Sequence, residues 1–340
     1  MKIGVLTGGG DCPGLNPVIR AIVRKAYNDG HETIGFKNGW KGLIEGDTMT
    51  LDLAAISGIL PKGGTILGTS RTNPYKKPEE AKKIFETFKK LKLDALIAIG
   101  GEDTLGVANR LVKEGLNVVG VPKTIDNDLS ATDYTFGFDT AINIAMECID
   151  RLHTTAESHH RIMVAEVMGR HAGWIATFAG IAGGADVVLI PEIPVDLDEI
   201  CAVIKKRHER GRSFSIVVVA EGAKVKQRDV TKADGLDEFG HVKLGGIGDY
   251  LGKEIEKRTG FETRVSVLGH IQRGGSPTAF DRILGTRFGV KAVELVENKD
   301  FGKMVSLSGT KIIAVPLERG VEKLKTVDME LYEIAKVFSG

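Results

Sequence analysis

Short runs of β-branched and apolar residues alternate with stretches whose apolar positions recur every three to four residues. Lys2–Thr7, Ala95–Ile99, Asn117–Val121, Arg161–Val167, Val187–Ile190 and Ser215–Ala220 read as buried strands. Asn16–Tyr27, Pro78–Lys90, Thr104–Lys113, Asp196–Arg210, Gly248–Arg258 and Pro277–Val296 carry the apolar stripe of amphipathic helices. Asn16 is expected to cap the first helix, with Pro17 at its first helical position. Lys303–Leu307 and Lys311–Val315, flanking Ser308-Gly309, predict a small hairpin. Such alternation predicts an α/β fold of mostly parallel, doubly wound sheets with right-handed crossovers.

At 340 residues the chain exceeds the ~250 to 300 at which a single core stops growing, so two domains are expected. The strand–helix rhythm restarts near Gly137–Ala141, after the long Asp126–Phe138 loop, and a domain change is placed there. Ala223–Gly246 breaks the rhythm with charged, glycine-containing, weakly apolar sequence, the profile of a long functional loop or a mobile insertion. Forty-six basic residues balance 45 acidic ones, which leaves no electrostatic footprint for nucleic acid or an anionic membrane surface. Cys12, Cys148 and Cys201 are odd in number and widely spaced, suiting a reducing, cytoplasmic setting and no disulfide framework. No apolar run reaches the ~18 residues of a membrane span, and the N-terminus runs into a glycine loop instead of a signal-peptide cleavage region.

The chemistry concentrates where strands end. Thr7-Gly8-Gly9-Gly10-Asp11-Cys12-Pro13-Gly14 follows the first strand, so unhindered backbone N–H groups can converge on an anion near a helix start. A tight strand-to-helix turn would use the same glycines. After Ile99 the device recurs as Gly100-Gly101, now with Glu102 and Asp103 beside the helix start. Those acids would also stabilise a helix N-terminus by ~0.3 to 1 kcal/mol. As neighbours they point in different directions, so one can reach a phosphate-held metal while the other faces another part of a phosphoryl donor. Magnesium takes only one or two protein carboxylates in such settings, which makes Glu102 a sufficient anchor.

Pro122-Lys123-Thr124-Ile125-Asp126-Asn127-Asp128 supplies a fixed cation, a hydroxyl and two acids in irregular backbone. A structural turn uses such residues too. The functional reading gives Asp126 the removal of a proton from an attacking hydroxyl while Lys123 and metal balance phosphoryl charge. Further on, Arg161 stands at a strand start and Arg170 at a strand end, with Arg264, His270 and Arg273 along Thr263–Gly275. An isolated arginine is usually a solvated surface group, but guanidinium geometry suits bidentate phosphate contacts. Glu221, ending its strand, can accept hydrogen bonds from sugar hydroxyls.

With these residues in place, the chain closely resembles the phosphofructokinase family, the bacterial-type 6-phosphofructokinases, over nearly its whole length. GGGDCPGLN, PKTIDNDL, VAEVMGRHAG and VLGHIQRGGSP each look like a family signature, in order and at suitable distances. The resemblance implies two Rossmann-like domains with the active site in the cleft between them. Residues 1–138 plus about 273–320 would bind the phosphoryl donor, and residues 139–272 plus about 321–340, with an insertion at about 223–246, the sugar phosphate. The implied reaction phosphorylates the 1-hydroxyl of fructose 6-phosphate to fructose 1,6-bisphosphate, with Mg2+, in glycolysis or gluconeogenesis. Carried over by position, Asp126 is the proton acceptor, Glu102 the metal acid and Gly10 part of the donor loop, while Arg71 contacts the transferring phosphate. Thr124, Ile125, Asp126, Met168, Gly169, Arg170, Glu221, His270, Ile271, Gln272 and Arg273 form the sugar-phosphate site. Arg161 and Arg264 reach in from an adjacent subunit, which implies a homo-oligomer, dimer or tetramer.

The chain departs from ATP-using members, to which it is otherwise similar, at three positions. They carry aspartate where this chain has Glu102 and glycine where it has Asp103, and many also have glycine in place of Lys123. Diphosphate-dependent members are similar to it in having aspartate and lysine at the last two. A carboxylate at Asp103 would stand in the place of a nucleotide's α-phosphate, a repulsion of order ~4 kcal/mol at ~4 Å in an effective dielectric near 20. The resemblance therefore implies diphosphate as donor, bound by Gly10, Arg71, Gly101, Asp103 and Lys123, with an ATP-dependent enzyme as the alternative. A Rossmann-type dinucleotide binder or a non-catalytic sugar-phosphate sensor is disfavoured by the absent GxGxxG and the retained Asp126. Arg20 and Arg24 match family effector residues but also form an ordinary i, i+4 basic stripe, and Leu53 replaces a family arginine, so weak or absent allostery is expected.

Overall fold

A computed structural model describes residues 1–226, 239 and 244–338. In chain order its elements are β1 (Lys2–Thr7), α1 (Leu15–Asn28), β2 (Glu32–Phe36), α2 (Trp40–Glu45), β3 (Thr48–Thr50), α3 (Pro78–Lys90), β4 (Ala95–Gly100), α4 (Glu102–Lys113), β5 (Val118–Thr124) and β6 (Phe136–Gly137). There follow α5 (Phe138–His159), β7 (Ile162–Val167), α6 (Trp174–Ala182), β8 (Val187–Leu189), α7 (Leu197–Glu209), β9 (Ser215–Ala220), α8 (Ile247–Thr259) and β10 (Thr263–Val267). The chain continues through α9 (Ala279–Glu297), β11 (Lys303–Ser308), β12 (Lys311–Pro316), α10 (Leu317–Val321) and α11 (Met329–Val337). Most of the predicted 223–246 insertion lies outside the described residues.

Two compact units result. The first comprises Met1–Ile125, Leu129–Thr140 and Arg273–Leu324; the second Asp126–Asp128, Ala141–Gln272 and Lys325–Gly340. In the first unit the sheet runs β12-β11-β5-β4-β1-β2-β3, with β6 beside β5. Its pairs are parallel except β11–β12 and β2–β3. β4 and most of β1 and β5 are buried, which is why they read as continuous apolar runs. From β1 the chain winds to β2 and then crosses to β4 on the other side. Strand order thus reverses between β1 and β4, and ligands of open α/β sheets bind outside the carboxyl ends at such a point. The second unit's sheet is wholly parallel, in the order β10-β7-β9-β8. Its core joins β7, β8 and β9 to α7 and α8 through residues such as Val164, Val217, Ile204 and Leu251.

One expectation is corrected. Asn16 does not cap α1: Gly14, in the left-handed region at φ 109°, is the cap, and Asn16 lies inside the helix. Its carboxamide is spent on a distant loop, donating to Lys62 O at 3.1 Å and accepting from Ile66 N at 2.9 Å. Pro17 accordingly sits in the third helical position, still within the turn whose N–H groups lack intrahelical partners.

The starts of α5 and α9, both in the first unit, are clamped by a buried polar cluster. Asp281 Oδ2 accepts from Thr140 N at 2.8 Å and Thr140 Oγ1 at 2.5 Å, while Thr278 N donates to Thr140 Oγ1 at 3.1 Å. Thr278 Oγ1 caps α9 by accepting from Asp281 N and itself donates to Asp139. Burial, opposed by the hydrogen bonds from Thr140, pushes the Asp281 carboxyl up from 3.8 to about 6. The native state therefore keeps a proton that the unfolded chain has released, so this group's contribution to stability falls as pH rises from about 4 to about 6, by of order ~3 kcal/mol at ~1.4 kcal/mol per pKa unit. Asp281→Asn is expected to remove that part of the slope, measured as urea midpoints between about pH 4 and about pH 7; an unchanged slope would assign it elsewhere.

Candidate active site

In the first unit three loops meet beyond β1, β4 and β5. Gly8 N donates to Ile99 O at 2.9 Å and Gly9 N to Ser70 O at 3.1 Å, while Thr69 Oγ1 donates to Gly9 O at 2.6 Å. Those bonds bring the exposed Arg71 loop alongside the first glycine turn. Thr104, 2% exposed, is wedged between the two glycine turns: a Cβ on Gly100 would lie 2.3 Å from Thr104 Cβ, and one on Gly8 2.5 Å from Thr104 Oγ1. Gly101 differs, for its Cβ would meet only Lys123 O at 3.4 Å and its backbone is extended. The fold itself would tolerate a side chain there. The space is kept free at the N-terminus of α4, whose first turn carries the exposed Glu102 and the half-buried Asp103.

Two cations rest on carbonyl oxygens of this loop. The ammonium of Lys123, a residue only 4% exposed, donates to Gly10 O. Arg273 Nη1 donates to Asp11 O at 3.3 Å, and a Cβ on Gly10 would lie 2.0 Å from that nitrogen. A side chain at position 10 would therefore make the guanidinium swing aside and give up its bond to Asp11 O. Cys12, next in the loop, is no nucleophile, since burial pushes its thiol up to about 12. Ile125 is 2% exposed, so only its main chain can serve a ligand.

In the second unit the carboxyl ends of β7, β9 and β10 are tied together. Glu221 N donates to Val167 O at 2.8 Å, and Glu221 Oε1 accepts from Arg170 N at 3.3 Å. Arg170 holds a left-handed φ of 47° directly after Gly169. The Gln272 carboxamide is buried and occupied by Met168 N at 3.4 Å and Gly269 O at 3.1 Å, so it shapes the site while His270 and Ile271 beside it are exposed. Asp126 is 5% exposed, and the buried Asn127 after it has a φ of 50°. Glu166, which periodicity hides inside an apolar strand, accepts from Gly248 N at 2.7 Å and anchors the start of α8; burial raises its carboxyl.

Arg161 and Arg264 lie elsewhere. Glu262 joins them, through Arg161 Nε at 2.7 Å and through Arg264 Nη2. Arg161 immediately precedes β7 and Arg264 is the second residue of β10, whereas Arg170, Glu221 and His270 follow strand ends. At ~3.3 Å per residue the backbones of the two groups stand roughly 15 Å apart along the sheet.

The protein-family model for phosphofructokinase matches residues 2–296. The chain belongs to the phosphofructokinase family. A pyrophosphate--fructose 6-phosphate 1-phosphotransferase of Streptomyces coelicolor is 60% identical over 100% of both chains. An ATP-dependent 6-phosphofructokinase of the same organism is 53% identical over 99% of each. The crystal structure of Pichia pastoris phosphofructokinase in the T-state superposes with a TM-score of 0.85 at 32% identity, covering 99% of this chain and 36% of that longer one. Among the described residues no helix is long and apolar enough to cross a membrane.

As a phosphofructokinase, the chain should separate its two neighbouring glycines. Gly101→Ala is expected to leave the thermal midpoint within about 2 °C but to raise the donor KM at least about tenfold, because only a ligand needs that space. Gly100→Ala, forced against Thr104, should destabilise by about 1 to 3 kcal/mol. Equal effects of the two on folding would refute the distinction.

Proposed function

We propose that the chain transfers a phosphoryl group from diphosphate to the 1-hydroxyl of fructose 6-phosphate, giving fructose 1,6-bisphosphate and phosphate, reversibly. The carrying observation is Lys123: a buried ammonium on the Gly10 carbonyl at the donor loop, in a chain whose α4 carries Asp103 in its first turn. That pairing offers a fixed positive charge to a compact, highly charged donor and a carboxylate against a longer one. The full-length relative named for diphosphate is also the more similar of the two described above.

In this reading diphosphate lies along the Gly10 and Gly101 loops near Arg71. Asp126 takes the proton as the sugar oxygen bonds to phosphorus and the bond to the leaving phosphate breaks. Lys123 and Arg170 balance charge on the transferring group. Met168–Arg170, Glu221 and His270–Arg273 hold the sugar phosphate, with Thr124 and the Ile125 main chain beside Asp126. Arg161 and Arg264, at the opposite strand ends, serve a neighbouring subunit of a homo-oligomer.

Among the described residues no group of three or more His, Cys, Asp or Glu side chains could hold a metal ion. The exposed Glu102 fits a magnesium ion that draws most of its ligands from phosphate oxygens and water. Bound there, Mg2+ would neutralise charge on the donor and orient it. The three free cysteines agree with a cytoplasmic setting.

Turnover of purified enzyme with fructose 6-phosphate and each donor in turn tests the reading: activity with diphosphate and little with ATP is expected, and the reverse would overturn it. Asp103→Gly should admit ATP, since relieving ~4 kcal/mol corresponds to as much as ~10³-fold. Asp126→Asn should lower kcat by ~10² to 10⁴ with substrate binding intact, as loss of a general base does; turnover within a few-fold of the parent would exclude Asp126 as proton acceptor.

A further inference from the structure

The Asp126 loop is braced by a segment C-terminal to the matched residues 2–296. Lys325, in the second unit with Asp126–Asp128, contacts the loop twice. Its backbone N donates to Asp128 O at 2.8 Å, and its ammonium donates to Asn127 Oδ1 at 3.0 Å. A second set of bonds fixes the same segment to the loop that follows β7. Trp174 Nε1 donates to Lys325 O at 2.8 Å, and the ammonium lies 5.3 Å from the Trp174 ring centroid, within cation–π range. The Glu192 carboxylate accepts from Val327 N at 3.0 Å and from Gly173 N at 3.0 and 3.1 Å.

Asn127 makes this bracing consequential. It is fully buried and left-handed at φ 50°, a conformation that asparagine adopts more readily than most residues but that still has to be held by its surroundings. The Lys325 ammonium holds its side chain and the Lys325 N–H holds the next carbonyl, so the turn immediately after Asp126 is fixed on two sides. Trp174 and Glu192 carry the same segment to Gly173, three residues beyond Arg170.

We infer that Lys325 is a positioning residue for the proton acceptor, setting the direction of Asp126 through Asn127 and Asp128 and tying its loop to the one that presents Arg170. It touches neither donor nor sugar in this role. The inference rests on the reading of Asp126 given above and adds to it a residue that no motif in the sequence marks. A misplacement of ~1 Å at a reacting group can cost ~10²-fold in rate without loss of binding. The signature of Lys325 is therefore a fall in kcat with little change in KM.

The test is a double-substitution cycle on the full-length enzyme, with fructose 6-phosphate and whichever donor supports turnover. Lys325→Met is expected to lower kcat at least about tenfold with each KM within about threefold, and Lys325→Arg to recover most of the loss. Acting through Asp126, Lys325→Met should add nothing in an Asp126→Asn background, whereas independent effects multiply. Should Lys325→Met fail to fold, Asn127→Gly, which keeps the left-handed turn but removes the ammonium's acceptor, is expected to give the same kcat loss and the same non-additivity. Parental kcat in Lys325→Met, or equal fold losses in both backgrounds, would overturn the inference. Failure of the underlying reading would appear separately, as parental turnover in Asp126→Asn alone.

Discussion

The side chain of Thr104 occupies the room that Gly8 and Gly100 leave by having no Cβ, and the carboxyl end of the first unit's sheet is organised around that contact. Parallel strands β1 and β4 carry the chain to the same edge of the sheet, where their following segments must part in opposite directions. With Thr104 wedged between them, the two glycine turns lie against each other and α4 begins at once, presenting Glu102 and Asp103 in its first turn. A bulkier residue at either glycine would push the turns apart and move the acids with them.

Legibility followed burial and contact range. β1 and β9 are readable to the residue because both faces are buried, so every position in them except Lys2 is apolar or small. β2, β3, β6 and α2 are short, and β10 is an edge strand whose pattern is broken by exposed positions. α5 follows a two-residue strand and a long loop with no break in the sequence to mark its start. Asn16 departs from its pattern for another reason: its local sequence is that of a cap, and only the arrival of residues 62–66 from elsewhere in the chain claims its carboxamide.

At the candidate site the motif residues were legible as glycine turns, strand-end acids and strand-end arginines. The residues that hold them were not. Thr104, Glu166, Asp281 and Lys325 act through contacts that no spacing along the chain announces; Glu166 looks like an interruption in an apolar strand, and Lys325 like one of many surface lysines. Gln272 shows the converse, since it stands within a recognisable motif yet spends its carboxamide on Met168 and Gly269. A motif therefore mixes residues that meet a ligand with residues that shape the loop.

The guanidinium of Arg273 occupies the place where any residue other than glycine at position 10 would put its first side-chain carbon. Two positions separated by most of the chain therefore share one space. A substitution at Gly10 is accommodated by moving the Arg273 side chain off Asp11 O, so its effect is read at both positions. Gly101 has no such neighbour, so a side chain there changes the lining at the start of α4 alone, whereas one at position 10 is also felt by a residue 263 positions further along the chain.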